Sequence, residues 1–304
     1  MSDLKMAQLK LAKFKAGVDA AGLDTGSITN DVHVSNHADS PAWGTAGGGN
    51  DFIWADRTTG GDYFGFGGND IFVGTSVGEF FHGGTGSDTV AYVNATSGVQ
   101  INLNQESQQG WAAGDRFDSI ENVVGSQYAD QLIGTAGSNK LFGYGGNDTI
   151  AGNGGNDILD GGAGQDKLTG MLSGTTVATG GADRDQFDFH VGANDFNLTV
   201  TDLQPLFYNG NTQTAPSQAT ARADMNHEFF HLTFDYESGA HTAQEVHDAM
   251  HFSGYADHAD GTTDAIWSVN TPYAHGTITF QNVLDSTNLP TDVFTIYFDP
   301  QTYL

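Results

Sequence analysis

A nine-residue unit repeats five times without a gap between residues 125 and 169. In chain order the copies read GSQYADQLI, GTAGSNKLF, GYGGNDTIA, GNGGNDILD and GGAGQDKLT. Glycines at fixed offsets permit a tight turn, and the three residues centred on the eighth position alternate outward, inward and outward, as in a short strand. A fixed period of this kind predicts a solenoid in which each copy makes one turn and one strand, and two copies complete one coil.

The sixth position of every copy holds an acidic or amide side chain, and the eighth holds an apolar one. The sixth-position residues are Asp130, Asn139, Asp148, Asp157 and Asp166. The eighth-position residues, which should form the core, are Leu132, Leu141, Ile150, Leu159 and Leu168. Turns on one side are two copies apart, so the pattern predicts one row of Asp130, Asp148 and Asp166. The other row is Asn139, Asp157 and Thr175, and Thr175 should end it.

Rows of carboxylates beside glycine-rich turns favour a calcium site. Ca²⁺ prefers six to eight hard oxygen ligands, which carboxylates and backbone carbonyls usually supply. The alternative is a stack of Gly/Asp turns without metal. We favour the ion, because stacked carboxylates repel one another when no cation lies between them.

These residues resemble the RTX family of secreted calcium-binding repeat proteins, whose consensus is G-G-x-G-x-D-x-U-x with U a large apolar residue. Residues 83–91 (GGTGSDTVA) and 161–169 match every fixed position, and residues 114–134 are similar to the segment that often precedes such repeats. The resemblance implies a parallel β-roll with several Ca²⁺ ions in rows, held by sixth-position Asp side chains and glycine-loop carbonyls. It also implies export by the type I secretion machinery.

The same pattern implies a set of calcium ligands from two repeat blocks. In the earlier and less regular block, Asp70 and Asp88 are the favoured pair. Asp185 should be the last sixth-position carboxylate, and Phe187 the last core residue. The full predicted set is Asp70, Asp88, Asp130, Asn139, Asp148, Asp157, Asp166 and Asp185, with Gly65, Gly67, Gly83, Gly84, Gly86, Gly143, Gly145, Gly146, Gly152, Gly154, Gly155, Gly161, Gly162 and Gly164.

The predicted fold class is all-β: a parallel β-roll with an N-terminal amphipathic helix and a C-terminal β-rich region that carries one helix. The expected segments are a helix or cap at 1–24, a linker at 25–45, the roll at 46–190 and the C-terminal region at 191–304. Within the roll, blocks 46–91 and 125–188 are joined by an irregular coil. In the C-terminal region, alternation predicts strands at FNLTVTDL, FFHLTFDY, GTITFQNV and DVFTIYF, and a helix at 242–252. Residues 275–298 resemble the end of type I secretion substrates.

The composition of the chain argues against several classes of partner and chemistry. The net charge is −27 and the pI about 4.2, which argues against nucleic acid and anionic membranes as partners. Cysteine is absent, so disulfides and thiol chemistry are excluded. We see no apolar run of signal-peptide or transmembrane type. So acidic a chain should fold poorly without metal, and calcium binding would then supply folding free energy. This coupling suits a protein that is secreted unfolded and folds outside the cell, with or without attachment to the cell surface.

The first block also predicts an apolar outer face. Its outward positions hold Phe52, Trp54, Tyr63, Ile71, Val73 and Phe80, whereas the second block is mostly polar there. An exposed apolar patch marks an interface. Either the chain's own helix or C-terminal region covers it, or it mediates self-association near Phe52, Trp54 and Tyr63 together with the N-terminal helix.

A zinc-hydrolase string, His227–Glu228–Phe229–Phe230–His231, is the main competing signal. That chemistry requires a helix that places both histidines on one zinc ion, but the aromatic alternation here favours a strand. His247 and His251 are better spaced for a transition metal. We therefore expect a non-enzymatic, calcium-dependent structural protein of a matrix, biofilm, surface layer or adhesion system. The alternatives are a secreted metal-dependent hydrolase and a host-directed secreted effector.

Overall fold

The computed structural model describes residues 32–34, 43–55, 60–106, 108–182, 185–201, 229–234, 250–257 and 263–281. These ranges consist of strands and turns, and they contain no helix suited to crossing a membrane. The strands within them are β1 (Val32–Val34), β2 (Trp43–Gly48), β3 (Phe52–Trp54), β4 (Asp62–Gly67), β5 (Ile71–Val73), β6 (Phe80–Thr85), β7 (Thr89–Ala91), β8 (Val99–Asn102), β9 (Gln109–Gly110), β10 (Arg116–Asp118), β11 (Asn122–Val124), β12 (Gln131–Ile133), β13 (Lys140–Phe142), β14 (Thr149–Ala151), β15 (Ile158–Ala163), β16 (Lys167–Ala182), β17 (Gln186–Val200), β18 (Phe229–Phe234), β19 (Met250–Asp257), β20 (Thr263–Asn270) and β21 (His275–Phe280).

The strands stack in parallel on two faces, which confirms the all-β parallel solenoid. The first face runs β1, β3, β5, β7, β11, β13, β15 and then the second half of β16. The second face holds β2, β4, β6 and β10, and farther along β8, β12, β14 and the first half of β16. Successive turns carry the chain from one face to the other, so each pair of repeat copies makes one coil.

Backbone hydrogen bonds tie each coil to the next at the residue that opens each strand. Thr149 N–H donates to the carbonyl of Asp130 at 2.9 Å, and Lys167 N–H donates to that of Asp148 at 2.8 Å. Short strands of this kind are stable only when stacked, because a single copy cannot bury its apolar side chain. The local repeat therefore determines the register between coils.

Eighth-position side chains form one continuous core between the two faces. Leu132, Leu141, Ile150, Leu159 and Leu168 are all fully buried, as the alternation predicts. The core does not stop at Phe187, which is also buried. It continues through Phe189, Val191, Phe196, Leu198, Val200, Val269, Ile278 and Phe280, because β17 crosses residue 191 without a break and pairs with β21.

Replacing Leu132 by alanine should lower the free energy of unfolding by about 2–5 kcal/mol, since a filled position in a close-packed column becomes a cavity. Urea unfolding in saturating Ca²⁺ measures the change. The neighbouring Gln131 points outward and is exposed, so Gln131→Ala is the matched control and should stay within about 0.5 kcal/mol of the wild type. Equal losses in the two variants would contradict this core assignment.

The N-terminal part of the roll begins earlier than position 46. β1 lies within the expected linker and pairs in parallel with β3, and β2 begins at Trp43 and pairs with β4. The predicted amphipathic helix lies outside the described residues.

The irregular coil between the two blocks is a real part of the solenoid. β8, in the strand-like GVQINLN, joins the second face beside β12, and β10 joins it beside β6. Between them β9 runs antiparallel to β8. The segment therefore adds strands to the second face, while on the first face β11 pairs directly with β7.

The predicted apolar outer face is not an exposed surface. Phe52 and Tyr63 are each only 1% exposed. Tyr63 lies in the core against Phe81, because its copy is shifted by one residue and Gly61 occupies the sixth position. Phe80 is half-buried, and the Arg116 guanidinium lies 4.8 Å from its ring centroid.

Three of these six outward residues, Phe52, Ile71 and Val73, lie in a second buried cluster within the chain. Its other members are Ala91, Val124 and Phe142, and Trp54 and Val93 pack against it. These side chains are therefore buried within the single chain. Self-association of the chain stays a prediction, and the buried Phe52 and Tyr63 offer little surface for it.

In the C-terminal region, the described parts of three predicted strands are β17, β18 and β21, and the predicted strand DVFTIYF lies outside the described residues. Residues 250–252, the end of the predicted helix, belong to β19, which pairs antiparallel with β20. The rest of that helix lies outside the described residues, as does His247. His231 lies in β18 and His251 in β19, so neither is on a helix that could present two histidines one turn apart.

Candidate calcium-binding turns

The sixth-position side chains lie in two rows, each at the residue before a strand. The predicted row of Asp130, Asp148 and Asp166 is confirmed by the strand register, and it continues to Asp185. The other row holds Asn139 and Asp157 but then Thr176, not Thr175, because the following unit has ten residues. Thr176 is buried and Thr175 exposed.

One carboxylate oxygen of each turn is hydrogen bonded to the preceding coil. Asp130 N–H donates to Asp148 Oδ1 at 2.8 Å, Asp148 N–H to Asp166 Oδ1 at 2.8 Å, and Asp166 N–H to Asp185 Oδ1 at 2.9 Å. In the other row, Asp70 N–H donates to Asp88 Oδ1 at 2.7 Å. These bonds orient each side chain, so that Oδ1 contacts the neighbouring coil.

The second carboxylate oxygen has no hydrogen-bond donor at three of these positions. Asp70, Asp88 and Asp148 each bury Oδ2 without a partner. A buried charged oxygen without a partner is costly. Oxygens of this kind are what a hard cation such as Ca²⁺ binds.

A backbone carbonyl of the next coil converges on each of these oxygens. A Cβ placed on Gly143 would lie 2.5 Å from the Gly161 carbonyl oxygen and closer still to Asp148 Oδ2. Similarly, a Cβ on Gly65 would lie 2.8 Å from the Gly83 carbonyl and closer still to Asp70 Oδ2. The absent glycine side chain thus leaves a cradle between carboxylate and carbonyl oxygens from two coils. The chemistry of these donors fits Ca²⁺.

The electrostatics of the rows also fit a cation. Burial raises the pKa of Asp148 to about 8, and the charges of Asp130 and Asp166 contribute, although the hydrogen bond from Asp130 opposes the rise. Burial likewise raises the pKa of Asp70 to about 6 and of Asp88 to about 7, partly opposed by a backbone hydrogen bond at each. The pKa of Asp157 rises to about 7. Without a cation, the fold therefore penalises the ionised rows at neutral pH.

The predicted glycines divide by their role in the turn. First-position glycines flank the carboxylate of their own turn: Gly65, Gly83, Gly143, Gly152 and Gly161. Second- or fourth-position glycines with left-handed φ shape the loop: Gly84, Gly86, Gly146, Gly155, Gly162 and Gly164. Third-position Gly67, Gly145 and Gly154 are not left-handed, and a Cβ on them would meet less crowding.

Four residues of these rows were missed by sequence reasoning. Glu121 takes the row position between Asp88 and Asn139, and its Oε2 accepts from Asp88 N–H at 2.8 Å. Gly68 is a left-handed fourth-position residue, and Gly180 and Gly181 form the turn of Asp185. The spacing of Gly68 from Asp70, and of the Gly-Gly pair from Asp185, could have revealed the glycines. Nothing in the nine-residue period marks Glu121.

Each turn contributes its carboxylate singly. Over the described part of the chain, no three Asp, Glu or His side chains converge on one point. Ions in these rows would be held by one side chain per turn together with carbonyl oxygens.

Comparison with known proteins supports this interpretation. The model of the RTX calcium-binding nonapeptide repeat matches residues 124–159 and 142–171, with four copies in all. No curated protein matches the chain. Repeats of this family bind several Ca²⁺ ions, and the matched stretch contains the donor-free Oδ2 of Asp148 and the cradle at Gly143. Residues 124–171 of this chain are therefore RTX calcium-binding nonapeptide repeats.

Proposed function

We propose that this chain is a secreted protein that folds on Ca²⁺ outside the cell and serves as a structural, self-associating component of a matrix, surface layer or adhesion system. The observation that carries the proposal is the rows of buried carboxylates, in which Asp70, Asp88 and Asp148 each keep one oxygen without a donor. Such rows are unfavourable in the absence of a divalent cation and stable in its presence.

Secretion follows from the same coupling. RTX proteins typically leave the cell by type I secretion. A chain of net charge −27 with metal-dependent turns should stay unfolded at low Ca²⁺ and fold where Ca²⁺ is in the millimolar range. Residues 275–298 are proposed to act as the export signal.

A structural role is favoured over zinc hydrolysis. His231 of the HEFFH string lies in β18, and residues about four apart in a strand are roughly 13 Å apart, too far to share one zinc ion. In 43–201, nearly every described residue belongs to a coil of the solenoid or to its turns. Self-association would use exposed turn side chains such as Phe66 and Tyr128, not the buried Phe52 and Tyr63.

The test is a Ca²⁺ titration from zero to a few millimolar, followed by far-UV circular dichroism and light scattering, with Mg²⁺ as the control ion. We expect a cooperative gain of β-structure with Ca²⁺ alone, together with a large rise in particle mass. Folding to a monodisperse monomer would overturn the self-associating role while leaving the calcium fold intact. No response to Ca²⁺ would overturn both.

A further inference from the structure

The repeat turns of this chain have two different backbone geometries. In one group the second residue of the turn is left-handed even where it is not glycine, with φ of 72° at Phe66, 77° at Tyr144 and 66° at Asn153. Left-handed backbone is costly for side chains such as those of Phe66 and Tyr144, so the loop imposes it there. We call the turns with a left-handed second residue the open turns. Besides those with glycine there, such as Gly84 before Asp88, they include the turns that precede Asp70, Asp148 and Asp157.

In the other group the second residue is serine or threonine. Among the described residues, left-handed φ at non-glycine positions occurs only at Phe66, Ser119, Tyr144 and Asn153. Ser126 and Thr135 therefore have ordinary backbone, and their N–H groups can point into the turn. We call the turns 125–130 and 134–139 the hydroxyl-capped turns.

In the hydroxyl-capped turns, the sixth-position side chain is already saturated with donors. Ser126 N–H donates to Asp130 Oδ2 at 2.5 Å, while the Ser126 hydroxyl and Val99 N–H both donate to Asp130 Oδ1 at 2.8 Å. By contrast, Asp148 Oδ1 accepts from Asp130 N–H, and its Oδ2 has no donor. The two residues occupy equivalent positions in adjacent coils, yet only one has an oxygen available.

The second hydroxyl-capped turn repeats this arrangement. Thr135 N–H donates to Asn139 Oδ1 at 2.7 Å, and the Thr135 hydroxyl lies 3.2 Å from the same oxygen. The Asn139 amide donates to the Glu121 carbonyl at 2.7 Å. An uncharged side chain whose oxygen is taken and whose amide points at a carbonyl is a poor ligand for Ca²⁺.

A third turn supports the role of the hydroxyl. Thr75, second in its turn, donates through its hydroxyl to Glu79 Oε1 and through its N–H to Glu79 Oε2 at 3.3 Å. Asp115 precedes β10 as Glu79 precedes the adjacent β6, and it accepts from Glu79 N–H at 2.8 Å and from the Tyr92 hydroxyl at 2.5 Å. Protein donors alone therefore occupy oxygens of both carboxylates.

We propose that serine or threonine at the second position of a turn excludes Ca²⁺ from that turn, so that ions bind at the open turns and the hydroxyl-capped turns of Asp130 and Asn139 stay ion-free. The hydrogens of the N–H and O–H groups carry positive partial charge, and they lie against the side-chain oxygens that a cation would need. Ser126 and Thr135 are thus specificity-determining residues. The inference refines the calcium binding on which the proposed function rests.

The test counts the Ca²⁺ ions bound per chain by atomic spectroscopy after gel filtration in Ca²⁺ buffer, with circular dichroism to verify folding. We expect Asp148→Asn to lower the number of bound ions and Asp130→Asn to leave it unchanged. Ser126→Gly should raise the number by about one, since glycine permits the left-handed turn and removes the hydroxyl. The double variant Ser126→Gly/Asp130→Asn should lose that gain.

Ser138→Gly is the matched control, because it makes the same chemical change at an exposed position of the neighbouring turn. Equal losses from Asp130→Asn and Asp148→Asn would overturn the inference, and so would an unchanged ion number in folded Ser126→Gly. If Ser126→Gly fails to fold, the Asp130→Asn and Asp148→Asn pair decides alone. A wild-type chain that binds no Ca²⁺ would instead overturn the proposed function.

Discussion

In Ca²⁺-free buffer, the chain should be largely unfolded at pH 7 and should gain β-structure when the pH is lowered towards 4. The reason is the raised pKa of the buried carboxylates: about 8 at Asp148, about 7 at Asp88 and Asp157, and about 6 at Asp70. In the unfolded chain these groups titrate near 3.8. The folded chain therefore binds more protons than the unfolded chain throughout this interval.

The sign of the pH dependence follows from linkage. Stability from the protonated carboxyls is fully present below the unfolded pKa and is lost as the pH rises through the folded values, here between about pH 4 and pH 8. Each tenfold difference in proton affinity corresponds to about 1.4 kcal/mol, so the four groups together change the stability of the metal-free fold by several kcal/mol. Acidification also makes the net charge of −27 less negative. The weaker self-repulsion likewise stabilises the folded chain at low pH.

The measurement is circular dichroism with urea unfolding in chelator between pH 3.5 and 8, at low protein concentration. Asp148→Asn is the control that separates the contribution of the buried row from that of the overall net charge. The amide cannot ionise, so this variant should show a weaker dependence of stability on pH. In saturating Ca²⁺ the trend should reverse, since Ca²⁺ requires ionised carboxylates and acid releases it. Metal-free protein that is more stable at pH 7 than at pH 4 would contradict the expectation.

Gly143→Ala should abolish or severely weaken Ca²⁺-dependent folding. The new methyl group would lie 2.5 Å from the Gly161 carbonyl oxygen and closer still to Asp148 Oδ2, in the space where the two oxygens converge. The register between coils fixes the position of the Gly161 carbonyl, so the clash can be relieved only if the coils shift relative to each other. Overpacking of this kind typically costs about 1–3 kcal/mol, and the methyl group would also fill the space for an ion.

Gly137→Ala is the matched control within the neighbouring copy. Its nearest atom would be Thr135 Oγ1 at 3.4 Å, an ordinary contact, and neither Gly137 nor Gly143 is left-handed. The two variants therefore restrict the unfolded chain alike and differ only in what the methyl meets. The Ca²⁺ concentration at half-folding, followed by circular dichroism, should rise greatly for Gly143→Ala and hardly at all for Gly137→Ala. Equal midpoints would show that the cradle holds no ion.

The nine-residue period alone predicted the coil, the core column and the row of Asp130, Asp148 and Asp166. This succeeded because stacking couples every copy to the next through the same hydrogen bonds, so a local pattern repeated without gaps determines its own long-range register. Where the period breaks, prediction failed. The one-residue shift that places Tyr63 in the core and the ten-residue unit that puts Thr176 in the row are both decided by pairing with a neighbouring coil.

The chemistry of individual turns was likewise decided only in three dimensions. In the sequence, Asp130 and Asp148 occupy the same position of the same repeat, and both were predicted as calcium ligands. The structure separates them, because the left-handed backbone at Tyr144 leaves Asp148 Oδ2 without a donor, whereas Ser126 donates twice to Asp130. The sequence by itself determined where carboxylates line up; the direction of each turn's N–H groups, which only the folded backbone sets, decided which carboxylate oxygens remain available to an ion.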